Sequence, residues 1–101
     1  MNVVSVAAHK GEFFRVLQET ERSQTAVMTI APGADAGPEE EHDGDQILYV
    51  LEGEALVRIG DGQYPAAAGA LVTIPARTRH HVQSTGRQPL FFLTVYAPPA
   101  Y

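Results

Sequence analysis

The side chains with the greatest chemical potential lie in two stretches that are far apart in the sequence. Residues 37–53 contain a run of carboxylates, one imidazole and one amide immediately before and within an apolar segment. A further histidine, His80, follows the apolar segment that ends at Pro75. Two imidazoles, an amide oxygen and a carboxylate form a mixed nitrogen and oxygen donor set, which suits Fe, Mn, Ni, Zn or Cu better than it suits a thiolate-seeking metal. The sequence therefore predicts a divalent transition metal ion wherever the fold joins the two stretches.

The carboxylate of this donor set belongs to one of three consecutive glutamates. If the stretch is extended, Glu40 and His42 share a face and Glu41 points away, because successive side chains of an extended chain alternate. A shifted loop would present Glu39 or Glu41 instead, so the choice among the three stays open at this point. Taken alone, the acidic run is typical of a solvated turn.

Short runs of β-branched and aromatic residues between Gly, Pro, Asp and Asn predict a protein built from strands and tight turns. Glu52-Gly53 and Gly60-Asp61-Gly62 are predicted to close hairpins, and Pro65, Pro75 and Pro89 to lie at strand ends. The predicted strands cover residues 24–31, 46–51, 54–59, 70–74, 78–84 and 90–96, with weaker candidates at 3–6 and 13–17.

His80 and His81 are adjacent in the predicted strand at 78–84, where alternation places their side chains on opposite faces. One set contains His80 and Val82, and the other contains Arg79, His81 and Gln83 and is polar. We therefore expect His80 to point into the protein and His81 to point outward. His81 and His9 are interpreted as exposed structural residues.

The strand at 46–51 is apolar on both faces, since Gln46 alternates with Leu48 and Val50 on one side and the other side is also hydrophobic. A second sheet can cover one face, and either a partner subunit or the amino-terminal segment can cover the other. This pattern, with the small size of the chain, predicts a homodimer with an interface above about 1,000 Å².

Length and composition indicate one domain over residues 1–101, with a core barrel at about 24–97 and amino-terminal strands within 1–23. The chain has no cysteine and no apolar leader or span, which predicts a cytoplasmic protein that does not enter a membrane. Its net charge of -5 argues against a nucleic-acid partner. The arginines Arg58, Arg77, Arg79 and Arg87 are interpreted as solubilising surface charge.

From about residue 30 to residue 97 the chain resembles the cupin family. The second motif of that family, G(X)5PXG(X)2H(X)3N, is matched by Gly69, Pro75 and His80, with Arg77 in place of the inner Gly and Ser84 in place of the Asn. The first motif is G(X)5HXH(X)3,4E(X)6G. Counting back from Gly53 places Gln46 at the usual Glu, His42 at the second His and Glu40 at the first His.

This resemblance implies an antiparallel double-stranded β-helix, the jelly-roll barrel of the cupins. It also implies that one metal ion is held by Glu40, His42, Gln46 and His80, so that the carboxylate has exchanged positions with a histidine. The implied function is a metal-dependent enzyme acting on a small organic molecule, as a dioxygenase, isomerase or lyase. The alternative is a barrel that binds or senses a small ligand without catalysis. No separate nucleophile or acid–base pair is evident from the sequence.

Overall fold

Alternating apolar residues and well-placed turns give eight strands within residues 3–101, the part of the chain that the computed structural model describes. The predicted all-β class is confirmed. Residues 1 and 2 of the predicted domain lie outside the described part. After a 3₁₀ turn at Ala7–His9, the strands are β1 (Phe14–Glu19), β2 (Gln24–Ile30), β3 (Asp45–Glu52), β4 (Glu54–Ile59), β5 (Gly62–Ala67), β6 (Leu71–Ile74), β7 (His80–Ser84) and β8 (Leu90–Ala97).

The strands form two antiparallel sheets, one of five strands in the order β1-β2-β8-β3-β6 and one of three in the order β5-β4-β7. The inward side chains of both sheets meet in one hydrophobic core, because each strand turns every second residue towards the opposite sheet. Leu48 and Val50 contribute from the larger sheet and Val57 from the smaller one, all without exposed surface. Within residues 3–101 the protein has no helix of the length and hydropathy that a membrane crossing requires.

Two strand predictions need correction. Residues 3–6 form no strand, whereas the candidate at 13–17 corresponds to β1. Strand β5 was missed, and Pro65 lies inside it instead of at a strand end. The proline is tolerated because β5 is an edge strand, where an N–H directed away from the partner strand is not needed for the ladder.

The two predicted hairpins have different outcomes. The turn at Gly60-Asp61 does close a hairpin, since Ile59 pairs with Gly62 at the end of β4 and β5. The prediction for Glu52-Gly53 is wrong, because β3 and β4 belong to different sheets and the chain crosses between them at this point. Gly53 has a φ of 86°, and a Cβ there would lie 2.5 Å from the carbonyl oxygen of Pro89, so the crossing requires glycine.

The amino-terminal segment covers part of the outer face of the larger sheet. The backbone N–H of Gly11 donates to the Thr29 hydroxyl, and the Lys10 ammonium pairs with Glu52. These contacts place the segment beside β2 and the end of β3. On the same face of the sheet, Val27 and Phe91 are buried. The predicted cover by the amino-terminal segment does not extend over the strand at 46–51, where Ile47 and Tyr49 remain exposed.

The other half of that face remains apolar and open. Ile47, Tyr49 and Leu71 are 36, 40 and 69% exposed, and Tyr49 pairs directly with Leu71 across β3 and β6. Single exposed apolar residues are ordinary, but a contiguous strip on one sheet face is typical of an interface.

The free edge of β7 is covered by the loop between β2 and β3. Backbone hydrogen bonds join Gly33 and Ala34 to Ser84, and Ala36 to Val82. The loop therefore satisfies the backbone groups that an edge strand would otherwise leave open.

The turn before β7 contains a strained residue, Arg77. Its φ is 56°, and among the described residues it is the only non-glycine with a positive φ. A side chain in this region crowds its own backbone and costs about 1–2 kcal/mol. The Arg77 N–H donates to the carbonyl oxygen of His42 at 2.7 Å, so this conformation attaches the turn to the His42 loop.

We expect Arg77→Gly to stabilise the protein. Removing the strain stabilises the folded state by more than the added flexibility of the glycine stabilises the unfolded chain. The free energy of unfolding should therefore rise by about 0.5–1 kcal/mol. Urea denaturation measures the change. Arg79→Gly is the matched control, because Arg79 has no positive φ, and it should destabilise. Equal destabilisation by both variants would contradict the strain at Arg77.

We also expect a homodimer that covers the strip containing Ile47, Tyr49 and Leu71. Leu71→Glu places a charge in this strip and should yield a monomer, since burying an unpaired carboxylate is unfavourable. Sedimentation at micromolar concentration distinguishes the two states. Gln88→Glu, which adds the same acid to an exposed loop outside the strip, should leave the dimer intact. A monomeric wild-type chain would refute the prediction.

Candidate metal centre

A cavity of about 260 Å³ lies between the two sheets and opens beside the 31–44 loop. Glu40, Gln46 and His80 form its polar wall. They come from the loop, the start of β3 and the start of β7, so three separate parts of the chain meet there.

Backbone pairing brings Glu40 and His80 together. The N–H of each donates to the carbonyl oxygen of the other, at 3.0 and 2.9 Å, which makes them a directly opposed antiparallel pair. Side chains of such a pair lie on the same face. Of the three consecutive glutamates, Glu40 is therefore the one aligned with the inward-facing His80, which is only 5% exposed. The predicted inward direction of His80 is confirmed.

His42 completes a compact cluster with these two residues. Its Nε2 lies 3.6 Å from Oε2 of Glu40, and its ring centre lies 5.2 Å from that of His80. One donor atom from each of the three residues lies within 4.8 Å of the others. Two atoms bound tetrahedrally to one ion at about 2.1 Å are roughly 3.4 Å apart, so a small closure of the cluster would suffice.

Gln46 is 5% exposed and is oriented by a hydrogen bond from its Nε2 to the Thr94 hydroxyl, at 3.1 Å. Within residues 3–101 its Oε1 is buried without a hydrogen-bond partner, and so is Nε2 of His42. A buried polar atom without a partner costs about 1–3 kcal/mol. Both atoms are lone-pair donors when the imidazole is neutral and are therefore suited to an ion.

The ring of His80 is oriented by a contact with the backbone of Thr78. Its Nδ1 lies 3.0 Å from the carbonyl oxygen of Thr78, a contact in which the Nδ1–H donates. This tautomer leaves the lone pair on Nε2, as in metal sites where a backbone carbonyl holds the outer nitrogen of a histidine ligand. Glu40, His42 and His80 thus form a group that could hold a divalent ion, and Gln46 lines the same cavity.

Burial and the neighbouring His80 lower the pKa of His42, and Glu40 and Asp43 oppose this effect. Burial has the larger influence because it penalises the charged imidazolium. The folded protein therefore favours the neutral imidazole, which is the form that can donate a lone pair to a metal.

Tyr101 is a site residue that sequence reasoning missed. Its hydroxyl donates to Oε2 of Glu40 at 2.6 Å, and its ring packs against His42 and Phe14. Buried Gln24 holds the tail, accepting from the N–H of Ala100 and Tyr101 and donating to the Tyr101 carbonyl oxygen. These contacts join residues far apart in the sequence, so no local pattern signals them.

Tyr96 is a buried residue that also lines the cavity. Burial and the nearby Glu40 raise its pKa to about 12. The pKa of Tyr101 is raised as well, by burial and by its hydrogen bond to Glu40. Both phenols are therefore neutral around the candidate centre and can donate hydrogen bonds. Tyr96 and Gln46 are direct partners in β8 and β3, so their side chains lie on the same face of the sheet.

The interpretation of His81 as an exposed residue is wrong. Its side chain points to the opposite face from His80 but is covered by the loop, with Nε2 3.2 Å from Oδ2 of Asp35. His81 is also among the residues that line the cavity. Hydrogen bonds from Gly37 and His81 lower the pKa of Asp35. A histidine held by a carboxylate is a common arrangement for proton transfer. His9 is likewise half-buried and contacts Glu12 at 2.8 Å.

Comparison with known proteins agrees with this architecture. Over 98% of its length the chain is 34% identical to BH2720 from Bacillus halodurans, covering 82% of that structure with a TM-score of 0.90. A protein with a double-stranded β-helix domain from Klebsiella pneumoniae is 27% identical, with a TM-score of 0.85 over 97% of this chain and 90% of that one.

Among curated proteins, YrkC of Bacillus subtilis is 28% identical over 98% of this chain and 56% of its own length. MJ1618 of Methanocaldococcus jannaschii is 31% identical over 54% of this chain and 44% of its own. The chain thus spans about half the length of the curated relatives it matches. The profile of the Cupin domain family matches residues 26–96, which include β3 to β7, most of β2 and β8, and all four predicted ligands. The chain belongs to the cupin family.

Proposed function

We propose that this cupin is a metal-dependent enzyme for a small organic substrate, with one divalent transition metal ion held by Glu40, His42, Gln46 and His80. The observation that carries the proposal is the pair of buried, unpartnered donor atoms, Nε2 of His42 and Oε1 of Gln46, beside the opposed Glu40 and His80. Two imidazoles and one carboxylate leave coordination positions open for a ligand.

A bound ion would supply Lewis acidity, polarising an oxygen atom of the substrate. The protein's own residues hold the donor set in place: Thr94 orients Gln46, Thr78 orients His80, and Tyr101 donates to Glu40. Such outer contacts set the tautomer and direction of each ligand.

We expect His80→Ala to abolish stoichiometric metal binding while the barrel stays folded, because the apolar core remains. Gln46→Ala should weaken binding less, since a neutral amide is a poorer donor than imidazole for these metals. Elemental analysis of protein purified without chelators measures the metal, and circular dichroism checks the fold. His9→Ala, which removes a histidine outside the cavity, is the matched control. One metal per chain in the His80→Ala protein would place the site elsewhere.

We expect metal affinity to fall in mild acid. Protons compete with the ion for the imidazole ligands as the pH falls. Burial lowers the pKa of His42, so competition at this ligand begins below the usual histidine value of about 6.5. Affinity should be constant above pH 7 and decrease by about tenfold for each unit below the pKa of a single competing histidine. Titration calorimetry at pH 7.5 and 5.0 measures it. Equal affinity at both values would contradict imidazole ligation.

A further inference from the structure

The cavity has a polar end and an apolar end, and strand register separates them. Gln46 and Tyr96 pair with each other at the polar end, where Glu40 and His80 also lie. Met28 and Phe92 pair with each other at the other end. Along β8, Phe92 and Tyr96 are four residues apart, which corresponds to roughly 13 Å.

The apolar end is built from side chains that offer a ligand contact surface but no hydrogen bond. Phe14, Met28 and Phe92 stand in register on β1, β2 and β8, and Val82 and Ala36 face them from β7 and the loop. A polyhydroxylated ligand would lose its hydration here without replacement, which is unfavourable.

Charge also selects among ligands. Of the described residues, the cavity wall includes no lysine or arginine, whereas Glu40 contributes a carboxylate. A ligand anion in the apolar end would be desolvated without a cation beside it. A volume of about 260 Å³ lies below the usual range of about 300–1,000 Å³ for drug-sized ligands and above the 150 Å³ that holds benzene in an engineered cavity.

We infer that the cavity takes a largely apolar molecule of one or two rings that carries an oxygen donor at one end, and not a sugar acid, and that without the metal it prefers the neutral form of such a molecule. The ring lies against Phe14, Met28 and Phe92, and the oxygen reaches the polar end. This inference rests on the proposed function for the partner of that oxygen, while the apolar end binds the ring by its own contacts.

The test uses phenol as the neutral ring, benzoate as the same ring with a charge, and D-glucuronate as the sugar acid. The reporter is the ¹³C-labelled methyl group of Met28, which lies in the apolar wall. Chelator-treated and metal-loaded wild-type protein are titrated by NMR. We expect phenol to shift the Met28 resonance saturably in both forms. In the chelator-treated form, benzoate should bind at least tenfold more weakly, and D-glucuronate should leave the signal unchanged.

Two variants locate the ring. Phe14→Ala should weaken phenol binding about tenfold, because half-buried Phe14 supplies one wall of the apolar end. Tyr64→Ala removes an aromatic ring that lies outside this cavity and should leave phenol binding unchanged. Thermal denaturation verifies that both variants fold.

The outcomes separate this inference from the proposed function. A Met28 signal unmoved by phenol, or moved as strongly by D-glucuronate, would overturn the ligand class even if the wild-type protein binds metal. A wild-type chain that binds no metal but still binds phenol at Met28 would overturn the proposed function and support the ring site. Unchanged phenol binding in Phe14→Ala would overturn the assigned wall.

Discussion

Two backbone hydrogen bonds, which Glu40 and His80 exchange, are the interaction on which the candidate centre depends. They extend the loop along β7, so that the edge of the smaller sheet is covered and its backbone groups are satisfied. The same pairing forces both side chains onto one face of the sheet. A single constraint thus closes the barrel and brings a carboxylate to an imidazole. A loop of the same composition in another register would direct Glu39 or Glu41 to this face and separate the donor atoms.

The remaining donors are oriented by Thr94 and by the turn that contains Arg77. Thr94 holds the amide of Gln46, and the strained Arg77 turn holds the backbone of His42. Arg77 occupies the family's glycine position and has the left-handed backbone conformation there, which is sterically unfavourable for a residue with a side chain. The barrel can sustain that cost because both ends of the turn are fastened, one to His42 and the other to β7.

The cavity combines an anionic, donor-rich end with a wall of rings and aliphatic groups. Without an ion, the carboxylate of Glu40 has the phenol of Tyr101 as its short hydrogen-bond donor. A divalent cation would offset that carboxylate and satisfy the buried oxygen and nitrogen that face it. The apolar wall bounds the same cavity. Donor chemistry and apolar packing therefore act together within one small volume.

The amino-acid sequence was sufficient for the all-β class, the inward direction of His80 and the family, because strand alternation and motif spacing are properties of the chain over short distances. Contacts between distant segments were not predictable in this way. The sequence predicts Pro65 at a strand end, whereas the structure places it inside β5, which the sheet order shows to be an edge strand. The sequence predicts a hairpin at Glu52-Gly53, whereas the strands on either side, β3 and β4, belong to different sheets. The selection of Glu40, the Asp35–His81 contact and the insertion of Tyr101 beside Glu40 arise from pairing across the fold. Such pairing depends on which backbone groups remain unsatisfied after the sheets have formed, and only the folded chain determines that.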